Sequence, residues 1–155
     1  MISSLVLLFA CSPSVEIAPF AGPDGATTVV TDQAQVLVAT THLQVRNAPG
    51  PGGRFGDHAD AVANHLYDTN PDGWLGSGFR NEGQLHWWTL SVWESEEAMN
   101  AFVVSEPHVS AMAALTDVAV AAWSRAEWMP PEDAPPSWER IVEQLESSPD
   151  FEFVR

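Results

Sequence analysis

Six segments between residues 35 and 129 differ in the spacing of their apolar side chains, and their order constrains the fold more than any other feature of the chain. Val36 to Val45 alternates with a period of two: Leu37, Ala39, Thr41, Leu43 and Val45 share one face, and Val38, Thr40, His42 and Gln44 the other. Asp57 is suited to cap a helix, and Ala59, Val62, Ala63 and Leu66 then recur at i, i+3, i+4 and i+7, which predicts a striped helix to about Tyr67. Trp74 to Arg80 and Leu85 to Trp93 read as a hairpin turning at Asn81, Glu82 and Gly83. Ser95 caps a second helix whose first turn carries Glu96 and Glu97, where carboxylates interact favourably with unpaired amides. Pro107 predicts a break at Ser105 and Glu106 and a restart with His108, Ala111, Met112 and Leu115 on one face. Val118 to Trp128 supplies a fourth strand. Strand, helix, strand, strand, helix, strand in this order predicts an α+β, ferredoxin-like βαββαβ domain: a four-stranded antiparallel sheet with both helix stripes on one side.

The flanks have other patterns. Asn47 to Gly56 holds four glycines and two prolines and reads as a loop. Met129 to Pro136 is stiff and proline-rich, and Ser137 then caps a last helix with Trp138, Ile141, Val142 and Leu145 on one stripe, which should pack back onto the domain. Ser12 to Gln33 lacks a sustained period and reads as a tether. Ile2 to Ala10 is apolar enough for a signal segment but too short to span a bilayer, and it ends at Cys11, the only cysteine. Leu8, Phe9, Ala10 and Cys11 resemble a bacterial lipobox, which implies lipidation of Cys11 and a place in the bacterial cell envelope, at the outer membrane or periplasmic face. The alternatives for this run are a mis-set start codon or a buried first strand. The expected organisation is therefore a leader over 1–11, a flexible linker over 12–34, the α+β domain over 35–129, and the proline-rich segment with its helix over 130–155.

Charge and motif content exclude several function classes. The formal charge is -15, from 21 acidic residues against six arginines, with no lysine. Scattered arginines do not form the basic surface that nucleic acid or anionic lipid requires, so no nucleic-acid partner is expected, and a membrane only through the lipid anchor. Without lysine there is no Walker A loop and no Schiff base; the glycines from Gly50 to Gly56 do not match a dinucleotide fingerprint; HExxH is absent. No cofactor and no metal site is expected. Asp68, Asn70, Asp72 and Gly73 match the opening of a calcium loop, but Phe79 stands where the closing glutamate belongs, so an Asx-rich turn is expected instead. His58 and His65 lie two turns apart, roughly 10 Å along a helix axis, too far to share an ion, and read as solvated flanks.

The run Trp87, Trp88, Thr89, Leu90, Ser91, Val92, Trp93, Glu94, Ser95, Glu96, Glu97, Ala98, Met99, followed by Phe102, His108 and Met112, resembles the strand-to-helix junction of the antibiotic biosynthesis monooxygenase superfamily. Within it the run is most similar to the uncharacterised DUF3291-type proteins, as are Pro135, Pro136, Ser137 and Trp138 with the helix after them. The resemblance implies a dimeric α+β barrel: ferredoxin-like units pairing through their sheets as a homodimer, with a cleft between each sheet and its own helices. It also implies cofactor-independent oxygenation of quinols or degradation of haem, or neither. Phe102 and Met112 occupy the positions where haem-degrading members carry a tryptophan and a ligating histidine, which disfavours that activity.

Histidines are the candidate catalytic groups. His42 and His108, if they meet across the cleft, would serve as proton acceptor and anion stabiliser, with Arg80 or Trp88 nearest the developing charge. Trp88, His86, Met112 and Phe102 are the candidate ligand-binding residues for a small aromatic or quinol-type molecule. Trp87 and Trp93 share the other face of their strand with Thr89 and Ser91, and either face can line the pocket. The competing reading assigns the tryptophans to core and interface and the histidines to structural hydrogen bonds, as in a non-catalytic ligand-binding or assembly lipoprotein.

Overall fold

The computed structural model describes residues 14–47, 51–83 and 85–154, so Cys11 and the 1–11 leader lie outside the described residues. The elements are β1 (Val15–Ala21), β2 (Val36–Val45), α1 (Pro51–Thr69), β3 (Trp74–Glu82), β4 (His86–Trp93), α2 (Glu96–Val103), α3 (Glu106–Val118), β5 (Ala119–Met129), α4 (Trp138–Ser147) and β6 (Phe151–Val154). They form one sheet in the order β1-β3-β4-β2-β5-β6 with every neighbour antiparallel. The inner strands β3-β4-β2-β5 are the expected ferredoxin-like set, but the sheet has six strands, not four. The extra strands cover the two edges that a four-stranded sheet would leave open. One of them, β1, lies inside the segment read as a flexible linker, with Ile17 opposite Arg80. The other, β6, places Glu152 opposite Trp123.

Both faces of the sheet are covered, which explains why β2 carries apolar residues at consecutive positions. On one side Leu37 packs with Leu66 of α1, Phe102 of α2, Trp74 and Trp93, while Leu115 and Val118 of α3 pack with Ala119, Ala122 and Leu43. On the other side Val36, Val38, Leu75, Leu90, Val92 and Met129 receive Ile141 and Leu145 of α4, joined by Phe20, Val29 and Trp138. Gly76, at φ 144°, makes room for this arm: a Cβ there would overlap the Phe20 ring. The C-terminal helix therefore packs back as its stripe predicts, and it takes the part of the sheet face around Val36 and Val38.

Local signals set most of the boundaries. Ser95 Oγ accepts from Ala98 N at 3.1 Å and Ser137 Oγ from Arg140 N at 3.3 Å, and the helix breaks before Glu106 as Pro107 requires. Two boundaries differ from expectation. Pro51 starts α1 inside the glycine-rich segment, since proline is favoured at the first helical position. The β3–β4 pairing runs on to Glu82 opposite His86, so Asn81 and Glu82 are strand residues and the reversal comes at Gly83, φ 60°. After α1, Asn70 at φ 42° donates its backbone N–H to Leu66 O at 3.0 Å, the left-handed cap that an Asx-rich turn supplies. Ser95→Ala should lower stability by about 1 kcal/mol through loss of the α2 cap, read as a shift in urea midpoint at constant slope.

Candidate functional site

Strand register divides the candidate residues between the two faces. On the face that α4 partly covers, Arg80, Trp88, His42, Trp123 and Glu152 lie side by side across five strands. His42 is 8% exposed, its ring stacked on Trp88 at 4.2 Å and 7° and on Trp123 at 4.8 Å and 19°. Its Nε2 lies 3.1 Å from His86 Nδ1. Burial, reinforced by the nearby His86, pushes the His42 pKa down to about 4, so the imidazole is neutral at pH 7. Arg80 sits 5.2 Å over the Trp88 ring and pairs with Glu82 at 3.1 Å, and Trp123 Nε1 donates to Glu152 Oε1 at 3.1 Å. The structure thus gathers His42, His86, Trp88 and Arg80, as a closed stack rather than an open site.

His108 is elsewhere. It lies on α3, on the opposite side of the sheet, with Nδ1 3.0 Å from Val103 O and its ring edge-on to Phe102 at 5.1 Å. Burial lowers its pKa, opposed by that backbone hydrogen bond. His42 and His108 therefore do not converge: alternation along β2 turns His42 away from α1, α2 and α3. Phe102 is buried against Trp93 at 5.2 Å, as core. Met112, expected on the sheet-facing stripe, is 49% exposed, because α3 buries Leu115 and Val118 instead. His65 is not a solvated flank but stacks on Phe102 at 6.4 Å.

A different set of residues lines a cavity on the helix side. Glu16, Asn81, Trp87 and Leu43 form one row across β1, β3, β4 and β2. Phe55 of α1 lies 5.2 Å from Trp87, and Phe79 lies 6.0 Å from it. The resulting pocket of about 310 Å³ is lined by Ser14, Glu16, Val45, Phe55, Gly56, Asn81 and Trp87. Asn81 is 3% exposed, and its Nδ2 donates to His86 O at 3.4 Å. Hydroxyls continue along the same face, where Thr41 bonds Thr89 and Tyr67 bonds Ser77. Two ring systems, an amide, a hydroxyl and a carboxylate suit a small, flat, polar molecule, and the volume admits one or two rings. Of these residues only Trp87 was legible as a pocket candidate; Ser14 and Glu16 read as linker, Phe55 and Gly56 as loop, Asn81 as turn. The alternation of Val15, Glu16, Ile17 and Ala18 was the available signal.

Solved structures share the fold of this chain. A "putative monooxygenase" from Fusobacterium nucleatum superposes with a TM-score of 0.53 at 11% identity, over 76% of this chain and 49% of that one. A second "putative monooxygenase", from Lactobacillus acidophilus, gives 0.52 at 11% identity over 74% and 48%. The chain has the monooxygenase-like α+β fold. A Pseudomonas aeruginosa protein with the same fold gives 0.51 at 10% identity over 64% of this chain and 97% of that one. This chain spans about half the length of the first two. No family model matches the chain and no curated protein is similar to it. Among the described residues of this monooxygenase-like fold, no group of three or more His, Cys, Asp or Glu is placed to hold a metal ion, and no helix is long and apolar enough to cross a membrane.

Proposed function

We propose that this monooxygenase-like domain binds one small hydroxylated aromatic or quinol-type molecule in the helix-side pocket. The pocket itself carries the reading: Trp87 and Phe55 offer ring surfaces, and the buried Asn81 amide lies in the same row to meet a ring hydroxyl. Reaction of the bound quinol with dioxygen is the chemistry inferred from the fold's likeness to proteins each described as a "putative monooxygenase", and its independence of a cofactor follows the resemblance of the Trp87 to Met112 junction. A quinol must lose a proton before it can pass an electron to oxygen. Glu16 is the ionisable side chain among the described lining residues, and it takes the role that the sequence suggested for His42 or His108. Export through a lipidated Cys11 belongs to the same proposal and rests on the lipobox resemblance. Pairing of two copies through their sheets is proposed for the half-face around His86 and Trp123, since α4 occupies the rest.

A non-catalytic binding lipoprotein is the second reading, favoured by the placement of every described histidine outside the pocket. Calorimetric titration with 4-ethylphenol and with a naphthoquinol, alongside oxygen uptake, tests both. Binding weakened roughly tenfold or more by Asn81→Leu, with His108→Ala unaffected, is the expected outcome. Oxygen uptake above the protein-free rate, equal in wild type and His108→Ala, assigns catalysis; binding without uptake assigns the second reading. Absence of binding by either compound overturns the pocket.

A further inference from the structure

The charge of the pocket narrows its ligand, an inference that rests on the pocket being the binding site. Register sets Glu16 directly opposite Asn81, and Asn81 directly opposite Trp87. Carboxylate, amide and indole thus follow one another across β1, β3 and β4, beneath Phe55 of α1. A carboxylate in the same pocket as two aromatic rings favours an organic cation, because the ring quadrupoles attract positive charge and the carboxylate adds a charge-assisted hydrogen bond.

Among the described residues no arginine is placed to reverse that preference. Arg80 lies on the opposite face and pairs with Glu82, Arg46 donates to Thr116 O, and Arg125 and Arg140 pair with Glu127. Arg54 is exposed on α1 and is not among the lining residues. The free amides at the start of α1, which would attract an anion, are not those at the pocket. Phe55 and Gly56 come after the first turn from Pro51, where backbone amides are bonded to carbonyls four residues back. The net charge of -15 acts in the same direction at long range.

We propose that the pocket selects a positively charged arylalkylamine, a phenolic ring bearing an ammonium group, over neutral and anionic analogues. The ring rests against Trp87 and Phe55 and the ammonium pairs with Glu16, which toward this ligand acts as counter-ion and not as proton acceptor. Three compounds of nearly one shape test this by calorimetry on the full chain: tyramine, 4-ethylphenol and 4-hydroxyphenylacetate. Tyramine should bind roughly tenfold more tightly than 4-ethylphenol, as expected for a charge-assisted contact of about 1.4 kcal/mol, and 4-hydroxyphenylacetate most weakly. In Glu16→Gln the ratio of tyramine to 4-ethylphenol affinity should fall toward one, and in Glu16→Arg the order should invert. Because the ratio is taken within each variant, it does not depend on the fraction folded. Equal binding of all three by wild type, or a tyramine preference that survives Glu16→Gln, overturns the selectivity while leaving the pocket standing. Failure of all three to bind overturns the pocket and the selectivity with it.

Discussion

Replacing Trp93 by alanine is expected to lower the unfolding free energy by about 3–5 kcal/mol, the range for removing a fully buried tryptophan. Trp93 is 0% exposed, at the end of β4 where α1, α2 and the sheet meet. Its ring packs against Phe102 at 5.2 Å, and its Nε1 donates to Ser91 Oγ at 2.8 Å. Truncation removes the largest fully buried side chain and leaves a void that Leu66, Leu37 and Trp74 can only partly fill. Trp93→Phe keeps most of the ring area and loses the hydrogen bond, so its cost should be less than half as large. Urea denaturation of both variants checks the ordering; a Trp93→Ala cost below about 1 kcal/mol would contradict the assignment of this residue to the core.

Acidification from pH 7 to pH 4 should cost the folded chain on the order of 2–3 kcal/mol through His42, at about 1.4 kcal/mol per unit of pKa difference. The stack of Trp88, His42 and Trp123 desolvates the imidazole and, with His86 adjacent, holds its folded-state pKa at about 4 against 6.5 unperturbed. The folded value is the lower one, so the unfolded chain binds the proton more readily. The stabilising effect of a neutral His42 is complete above pH 6.5, is lost as pH falls from 6.5 to 4, and changes no further once both states are protonated. His108, lowered by burial, acts in the same direction. Carboxylates titrate at the acid end of the same window, so the diagnostic quantity is a difference. Between pH 7 and pH 4 the wild type should lose 2–3 kcal/mol more than His42→Gln, of the order set by the pKa difference. Parallel stability curves would contradict a buried neutral imidazole.

Periodicity carried the fold further than it carried the site. The inner strands, the break before Glu106 and the caps at Ser95 and Ser137 all follow from residues that act within one turn or one strand. The edge strand β1 was hard to read because Pro19 breaks the alternation that Val15, Glu16, Ile17 and Ala18 begin; the β1–β3 ladder accommodates that proline at an irregularity between Ala18 and Ala21. Sidedness was the deeper difficulty. Leu37 and Val38 are buried at 3% and 1%, on opposite faces, because α4 covers the face that α1 and α2 leave. An amphipathic strand would have announced which face the helices take; a strand buried on both faces does not, so the sequence left open whether His42 and His108 share a cleft. The pocket row of Glu16, Asn81 and Trp87 joins residues from β1, β3 and β4, so only strand register, which no single segment encodes, could assemble it.

The most direct test of the account is a map of backbone amide shifts in the isotope-labelled protein as 4-ethylphenol is added to saturation. Shifts should concentrate at Ser14, Glu16, Phe55, Gly56, Asn81 and Trp87, with His42 and Trp123 unmoved on the far side of the sheet. Shifts centred on His42 and Trp123 instead would place the ligand on the opposite face and contradict the helix-side site.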